Sequence, residues 1–279
     1  WYQRSLELIQ RVKAIDPSMT TKSGIIKPQS IVVSSVQHPN ALEVLKDKSS
    51  AIAQDSKFAP EHFSVQSVGI DGQGQRVTVQ GLAGHYENLY FPLYGSHQAE
   101  NLALAIAAVE SFLGGGETVL NDEILRIAVA DFSSPGRLQV ISREPLTILD
   151  AAHNPHGAKA LADTLLNEFN FDEIIAVVGV FGDKNATGIF QELEPIVDHV
   201  IVTQSSSSRA MPSSELMKIA ASVFGSDRVF EVSDLNSALD KAVADSIRPL
   251  SEDTVGILVT GSVVTVGEAR TYLRKKFAR

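Results

Sequence analysis

Apolar runs alternate with helical patterns along the second half of the chain, and this alternation constrains the fold more than any other feature. Five runs have the length of buried strands, at residues 146–150, 174–180, 200–203, 229–232 and 255–260. The segments that follow them have helical spacing, near residues 158–169, 187–197, 213–224, 234–246 and 263–276. Strands that alternate with helices in this way pair in parallel through right-handed crossovers. We therefore predict an α/β fold, with a Rossmann-like domain and a mainly parallel sheet over residues 135–279.

The first half of the chain has a less regular pattern. Residues 1–19 have the spacing of a short amphipathic helix, and a polar turn with two lysines follows at residues 20–28. Beyond it we predict strands at residues 31–35, 63–68 and 76–80, a short apolar run at 89–93, and helices at 41–55, 95–112 and 121–129. A Ser-Ser-Pro-Gly-Arg stretch at residues 133–137 is typical of a linker. We place the boundary between two domains, residues 1–134 and 135–279, in that linker.

Composition argues against several classes of protein. The formal charge of −9 and the pI of about 5.3 argue against a general affinity for nucleic acid or anionic membranes. The absence of cysteine excludes disulfides, thiolate metal sites and a cysteine nucleophile. No apolar stretch approaches the roughly 18 residues of a membrane span, and the first residues do not resemble a signal peptide. We expect a soluble, cytoplasmic protein.

The turn after the first strand of the predicted Rossmann-like domain is the best candidate for an active-site corner. Asp150, His153 and Asn154 lie there within six residues, at the carboxyl end of a strand, which is where open α/β sheets bind ligands. A carboxylate can accept hydrogen bonds from a ribose or orient a cation, and a neutral His can donate to phosphate or carboxylate oxygens. The structural alternative is that Asp150 caps the next helix and that backbone groups satisfy His153.

Two further places carry residues suited to a nucleotide. His97 and Asn101 lie one helical turn apart on the same face, and an Asn amide has the donors and acceptor to read the edge of an adenine. The alternative is a helix N-terminus with His97 near the cap. Arg137 follows a Pro-Gly hinge that can direct its guanidinium at phosphates, although an exposed linker Arg is the commoner explanation.

Three more strand ends carry polar or basic residues. Lys184 can hold an anion or simply solvate its loop, and Arg209 follows a run of serines after the next strand. Ser262 precedes a helix, whose first backbone N–H groups suit a carboxylate or a phosphate. Because the carboxyl ends of parallel strands meet at one edge, we expect these residues to converge there with Asp150.

Common nucleotide-binding and catalytic motifs are absent from the sequence. The chain contains neither a GxxxxGK[ST] phosphate loop nor a GxGxxG dinucleotide fingerprint, and neither HExxH nor GxSxG. The seven histidines show no tight spacing of the kind that metal sites use.

Five separate motifs nevertheless follow one another in a specific order. They are FPLYGSHQAEN at residues 91–101, SPGRL at 134–138, LDAAHNP at 149–155, GVFGDK at 179–184 and VTGS at 259–262. Their order and spacing resemble folylpolyglutamate synthase/dihydrofolate synthase, a bacterial branch of the Mur ligase superfamily, over residues 22–279. The resemblance implies a partial central ATP-binding domain at residues 1–134 and a C-terminal glutamate ligase domain at residues 135–279.

The resemblance also implies a reaction, which is ATP-dependent amide formation. ATP phosphorylates the carboxylate of dihydropteroate, or the γ-carboxylate of a folate glutamate tail, and the amine of L-glutamate then attacks the acyl phosphate. The implied cofactors are ATP and Mg²⁺. The implied partners are these small molecules alone, without nucleic acid or membrane, and the implied state is a monomer.

Roles for individual residues follow from the same resemblance. The residues implied at the nucleotide are His97, Asn101, Arg137 and Asp150. Catalytic roles are implied for Asp150, His153 and Lys22. Lys22 resembles the lysine that is carbamylated in this superfamily, and its carbamate would help to hold a second Mg²⁺. The residues implied at the glutamate substrate are Ser262, Lys184 and Arg209.

The chain departs from the family pattern near its start. The family's GTNGKGS phosphate loop, its Mg-binding Ser and Glu and its metal-binding His are absent, and residues 1–19 do not match what normally precedes the lysine motif. We therefore expect the 279-residue chain alone not to turn over.

Two alternative functions stay open at this point. The first is another Mur-type ligase, which adds an amino acid to a cell-wall nucleotide precursor; the GSHQ and DAAHNP forms favour the folate branch over it. The second is a non-catalytic binding module without a phosphate loop. The joint presence of Asn101, Arg137, Asp150 and His153 argues against a mere scaffold.

Overall fold

The computed structural model describes residues 23–71, 74–247 and 254–278. The chain divides into two compact units, of which one comprises Trp1–Pro92 and Ser96–Phe132 and the other comprises Leu93–Gly95 and Ser133–Arg279. Lys22 and the helix predicted at residues 1–19 lie outside the described residues. No helix in the described part of the chain has both the length and the apolar character needed to cross a membrane.

The described part of the first unit contains five strands and three α-helices. The strands are β1 (Ile31–Ser34), β2 (Asp55–Phe58), β3 (Ser64–Asp71), β4 (Gly74–Gln80) and β5 (His85–Phe91). The helices are α1 (Pro39–Ile52), α2 (Ser96–Gly114) and α3 (Asp122–Ala130), and a 3-10 turn lies at Ser23–Ile25. β1 and β2 pair in parallel, while β3, β4 and β5 form an antiparallel sheet.

One prediction for this unit was wrong in its boundaries. The helix predicted at residues 41–55 begins at Pro39 and ends at Ile52, and Asp55 belongs to β2, a strand that the pattern did not predict. The sequence of β2 is Asp-Ser-Lys-Phe, in which only Phe58 is buried. A strand with one buried apolar residue has no period-two signal, so it cannot be recognised from hydrophobic periodicity.

A buried carboxylate fixes the turn between β4 and β5 to α2. Glu110 of α2 is fully buried and accepts hydrogen bonds from the N–H of Gly84 at 2.9 Å and from the hydroxyl of Tyr86 at 2.8 Å. Burial, together with the neighbouring Glu110 carboxylate, raises the pKa of Tyr86 to about 12. The hydroxyl therefore stays protonated at neutral pH and keeps donating to the carboxylate.

The described part of the second unit is a six-stranded sheet with helices on both faces. Its strands are β6 (Gln139–Arg143), β7 (Leu146–Leu149), β8 (Glu173–Val178), β9 (His199–Gln204), β10 (Val229–Asp234) and β11 (Val255–Thr260). Its helices are α4 (Pro155–Glu168), α5 (Ala186–Leu193), α6 (Ser213–Phe224), α7 (Leu235–Ser246) and α8 (Val263–Phe277). The strand order is β10-β9-β8-β11-β7-β6, and all pairings are parallel except that of β6 with β7. The predicted α/β fold with a mainly parallel sheet is confirmed.

The sequence pattern did not predict β6. Residues 139–143 read Gln-Val-Ile-Ser-Arg, and the strand is half-exposed at the edge of the sheet, where its one partner among the described strands is β7. An edge strand buries too little apolar surface to stand out as a hydrophobic run. The sheet therefore has one antiparallel strand more than the five-strand series that we predicted.

Alternate residues of each central strand face opposite layers of helices. In β8, Ala176 and Val178 pack into the core that includes α4, α5 and α6, while Ile175 and Val177 pack into the core that includes α7 and α8. Because both faces are covered, the central strands are mostly apolar along their length. This explains why they could be recognised so readily from the sequence.

The strand order reverses beside β11. The chain passes from β7 to β8, continues outward to β9 and β10, and returns so that β11 lies between β7 and β8. The carboxyl ends of β7, β11 and β8 therefore lie side by side at the point of reversal, which is where open α/β sheets characteristically bind ligands.

Candidate functional site

Asp150 follows β7 directly, and backbone N–H groups occupy both of its carboxylate oxygens. Oδ1 accepts from Ala152 at 2.8 Å, and Oδ2 accepts from Leu138 at 2.9 Å. The residue is only 5% exposed. Burial raises the pKa of Asp150, and the two hydrogen bonds and the nearby Arg137 and His153 oppose that rise. Asp150 is thus a buried acid that holds two backbone segments together.

The structural alternative considered for Asp150, that it caps the next helix, is wrong. The cap of α4 is Asn154, whose side-chain oxygen accepts from the N–H of Gly157 at 2.8 Å. We had predicted that this helix starts after Gly157, but it begins at Pro155. Proline suits the first helical position because its backbone angle is already helical and its missing N–H would have no partner in the helix.

Arg137 stands in a turn that is fastened to this corner. The carbonyl of Gly136 accepts from the N–H of Ala151 at 2.8 Å, and Leu138 is held by Asp150 as described above. Gly136 has a φ of +74°, a conformation that favours glycine. The side chain of Arg137 is exposed. Asp150 therefore fixes the backbone from which an exposed guanidinium projects.

The ring of His153 is oriented by the main chain. Its Nδ1 lies 3.0 Å from the carbonyl oxygen of Ala151, and since a carbonyl only accepts, Nδ1 carries the hydrogen. In the neutral ring Nε2 is then an acceptor, and it donates only when the ring is protonated. We had expected a neutral His153 to donate to phosphate oxygens. This arrangement allows Nε2 to donate to an anion only in the imidazolium form.

Ser262 uses its hydroxyl within the protein. The residue is 1% exposed, and its Oγ accepts from the N–H of Thr265 at 3.0 Å, which caps α8. The preceding Gly261 donates its N–H to the carbonyl of Ala152 at 3.1 Å, so the end of β11 is joined to the Asp150 corner. The substrate role implied for Ser262 stays a prediction, and its hydroxyl is already engaged.

Lys184 and Arg209 belong to the loops after β8 and β9, and they meet at one carboxylate. The Nζ of Lys184 lies 3.1 Å from Oδ2 of Asp183, and Nη2 of Arg209 lies 2.9 Å from Oδ1. Hydrogen bonds from Arg209 and then from Lys184 lower the pKa of Asp183. The two predicted cations are therefore neighbours. Sequence reasoning assigned no role to Asp183, and its position beside Lys184 was the only signal available.

In the first unit, Gln98 links the two residues predicted to bind a nucleotide. Its amide nitrogen lies 3.0 Å from Nε2 of His97, and its oxygen accepts from the amide of Asn101 at 3.3 Å. Gln98 is buried, whereas the side chain of Asn101 is exposed. The first turns of α2 therefore present the Asn101 amide to solvent on a supported face. Sequence reasoning missed the supporting role of Gln98.

A metal centre is not evident within residues 23–71, 74–247 and 254–278, because these residues contain no cluster of three or more His, Asp or Glu side chains suited to one. Lys22, the predicted carbamate, lies outside those ranges.

Known proteins resemble the chain in sequence. The family model of the Mur ligase glutamate ligase domain matches residues 136–263. The dihydrofolate synthase/folylpolyglutamate synthase of Mycobacterium tuberculosis is 40% identical over 267 residues, which cover 90% of this chain and 54% of that protein. This chain is a homologue of the dihydrofolate synthase/folylpolyglutamate synthases. The folylpolyglutamate synthase of Lacticaseibacillus casei is 28% identical over 253 residues, which cover 90% of this chain and 56% of that protein.

The fold agrees with the same relationship. The structure of Mycobacterium tuberculosis folylpolyglutamate synthase complexed with ADP and AMPPCP matches with a TM-score of 0.85 and 38% identity, covering 91% of this chain and 58% of that chain. The resemblance found in the motifs is confirmed, and it favours the folate branch over the cell-wall ligases. The chain spans about half the length of the curated relatives it matches.

Proposed function

We propose that the protein carrying this chain is an ATP-dependent ligase that joins L-glutamate to dihydropteroate, to the γ-carboxylate of a folylpolyglutamate, or to both. One observation carries the proposal. Arg137, Asp150 and His153 meet at the carboxyl end of β7, beside the reversal of strand order, in a region matched by a glutamate ligase domain.

The chemistry of such a ligase suits these residues. A phosphoryl group passes from ATP to the substrate carboxylate, the amine of glutamate attacks the activated carbon and loses a proton, and inorganic phosphate leaves. The protein has to stabilise phosphate charge and hold two anions together. We assign Arg137 to the phosphates, since its guanidinium is exposed on a fixed turn. We assign His153 to the acyl phosphate through Nε2, and Asp150 to the positioning of both.

We propose that the first motif of the series, at residues 91–101, also binds the nucleotide. We assign Asn101 and the neighbouring His97 to the adenine, because Gln98 supports an exposed amide at that place. In this proposal residues 1–134 are part of an ATP-binding domain and residues 135–279 are the glutamate-binding domain. The remaining substrate contacts are Lys184, Arg209 and the first turn of α8 after Ser262.

Magnesium is proposed to enter with ATP, whose phosphates it would neutralise. A carbamylated Lys22 stays our proposal for a further ligand. No step is assigned to a metal held by the described residues, which contain no cluster of three or more His, Asp or Glu side chains suited to a metal. We further propose that the protein works as a cytoplasmic monomer on small-molecule substrates alone.

A chimera tests the proposed function without depending on what precedes residue 23. Residues 23–279 would replace the matching part of the Mycobacterium tuberculosis enzyme, which is 40% identical to this chain. We expect ADP and a glutamylated product from ATP, L-glutamate and either dihydropteroate or a folate glutamate. Turnover with a UDP-muramoyl precursor, and none with a folate substrate, would show that the protein is a cell-wall ligase. A folded chimera without any turnover would refute a ligase function. ADP release by the 279-residue chain alone would contradict our expectation that it is inactive.

A further inference from the structure

Two loops at the carboxyl edge of the sheet are joined to each other by their backbones. Phe181, in the loop after β8, pairs with Ala210, in the loop after β9, as an antiparallel bridge. The N–H of Gly182 also donates to the carbonyl of Arg209 at 3.0 Å. The two loops therefore hold a fixed register, and side chains that face each other across them stay in place.

The loop after β9 is anchored on both sides of Arg209. Before it, the N–H and the hydroxyl of Ser206 donate to the carboxylate of Glu268 on α8. After it, the N–H of Met211 donates to the carbonyl of Val180 at 2.9 Å. The backbone that carries Arg209 is thus secured, although its side chain is exposed.

The guanidinium of Arg209 is held from two directions. Its central carbon lies 4.7 Å from the centre of the Phe181 ring, and Nη2 lies 2.9 Å from Asp183, the carboxylate that Lys184 also approaches. Such a contact with a ring face is favourable for Arg. Within the described residues the guanidinium donates only to Asp183. An Arg fork and a Lys ammonium together carry more N–H donors than one carboxylate can accept, so donors remain for an anion. The three charged groups sum to one positive charge.

We propose that Asp183 and Phe181 are positioning residues, which hold the guanidinium of Arg209 beside the ammonium of Lys184 so that the two cations form one subsite for the carboxylates of L-glutamate. The inference rests on the proposed function, which supplies glutamate as the substrate. Two adjacent cations suit a ligand with two carboxylates, so the subsite favours glutamate and glutarate over glutamine.

Asp183 could instead weaken anion binding by neutralising the two cations, and that role predicts a different result. If Asp183 only neutralised the two cations, then Asp183→Asn would leave them free and anions would bind more tightly. If it positions Arg209, the same substitution removes the charge that holds the fork, and dicarboxylates bind less tightly. The sign of the change therefore distinguishes the two roles.

The experiment measures binding to the 279-residue chain. L-Glutamate, glutarate and L-glutamine are titrated while the backbone amide signals of residues 181–184 and 207–211 are followed by NMR. We expect Asp183→Asn and Phe181→Leu to weaken the binding of both dicarboxylates by about tenfold. Arg209→Lys keeps the charge but loses the planar fork, and it should weaken binding to a similar degree.

Glu194→Gln provides a matched control. Glu194 pairs with Arg228 at 2.8 Å, and Arg228 lies over the ring of Phe224, at the amino edge of the same sheet. This variant should leave dicarboxylate binding unchanged. Unchanged or tighter binding in Asp183→Asn would overturn the inference and leave the proposed function standing. If the wild-type chain bound neither dicarboxylate, the subsite would be refuted, whereas the chimera assay would still decide the function. If the wild-type chain bound glutamate and glutarate and the chimera showed no turnover, the proposed ligase function would be refuted and the dicarboxylate subsite would stand.

Discussion

Two arginines of the second unit have partners of the same kind, a carboxylate and a phenylalanine ring, but lie in different surroundings. Arg209 and Arg228 each pair with a carboxylate, at 2.9 and 2.8 Å, and each lies over a phenylalanine ring, at 4.7 and 5.2 Å. Arg209 follows β9 at the carboxyl edge of the sheet, and Arg228 precedes β10 at the amino edge. The comparison shows what separates an arginine that stabilises the fold from one that is available to a ligand.

The difference lies in the rest of the guanidinium. Arg228 also donates from Nε to the carbonyl of Asp198 at 2.9 Å, and from Nη2 to the carbonyl of Val197. Its fork is therefore used by backbone carbonyls of the turn before β9, and its side chain is 30% exposed, against 60% for Arg209. At the amino edge, backbone carbonyls accept the remaining N–H groups of Arg228. At the carboxyl edge, Arg209 keeps N–H donors that no described residue accepts.

The largest effect is expected at Asp150, because this residue serves both the fold and the site. Asp150→Ala removes the acceptor of two buried N–H groups, and each donor left unpaired costs about 1–3 kcal/mol of unfolding free energy. It also releases the turn that carries Arg137, and a displacement of that kind can lower turnover by about a hundredfold. Urea unfolding of the chain and turnover of the chimera measure the two effects.

Asp163→Ala is the control for that variant. Asp163 makes an exposed ion pair with Lys159 on α4, and pairs of this kind contribute less than about 1 kcal/mol. Wild-type stability in Asp150→Ala would show that its hydrogen bonds do not hold the corner together.

Arg228→Met should come next in size, and it should affect stability alone. The variant leaves two backbone carbonyls and Glu194 without their donor, so we expect a loss of about 1–3 kcal/mol in the free energy of unfolding. Glutamate affinity of the folded chain should be unchanged. A loss of glutamate affinity equal to that of Arg209→Met would contradict the division between the two edges.

Arg209→Met is the matched variant at the carboxyl edge, and it should affect binding with little change in stability. An exposed ion pair contributes at most about 1 kcal/mol, so the free energy of unfolding should change by less than that. Glutamate affinity should fall by about tenfold, because the subsite loses one of its two cations. A loss of stability as large as that of Arg228→Met would show that Arg209 too is structural.

The sequence indicated which edge of the sheet carries the site, but it did not indicate which side chains are engaged there. The central strands are covered on both faces, so their apolar runs were easily recognised, and the carboxyl ends followed from them. Lys184 and Arg209 were predicted for that reason. Their common partner Asp183 was not, because its bond to Arg209 joins residues 26 positions apart in two different loops.

The same limit explains why the sequence left open that Asp150 caps the next helix. Asp150 and Asn154 are both suitable capping residues by type, and the choice between them depends on which side chain faces the first turn of α4. Asp150 points instead at Leu138, a residue that precedes it by twelve positions and reaches it through the pairing of β6 with β7. Since β6 is a half-exposed edge strand, this pairing left no periodic signal in the sequence.

The smallest effects are expected in the pH dependence of stability, where two carboxylates of the carboxyl edge should act in opposite directions. Burial raises the pKa of Asp150 above the ordinary aspartate value of 3.8, so its ionised form is disfavoured in the folded state. The free energy of unfolding that Asp150 contributes therefore falls as the pH rises from about 3.8 through the folded pKa. Arg209 and Lys184 lower the pKa of Asp183 below 3.8, so its contribution is present above that pH and is lost as the pH falls through the folded value.

Urea unfolding between pH 3 and 7 distinguishes these signs when the wild type is compared with Asp150→Asn and Asp183→Asn. The wild type should gain stability relative to Asp150→Asn on acidification, because its buried carboxylate becomes neutral. It should lose stability relative to Asp183→Asn over the lower part of the range, and added salt should reduce that loss, since the Asp183 pairs are exposed. If the wild type also gained stability relative to Asp183→Asn on acidification, the Asp183 carboxylate would be as poorly solvated as the Asp150 carboxylate. The contrast between an exposed, ligand-ready cluster and a buried structural acid at this edge would then be wrong.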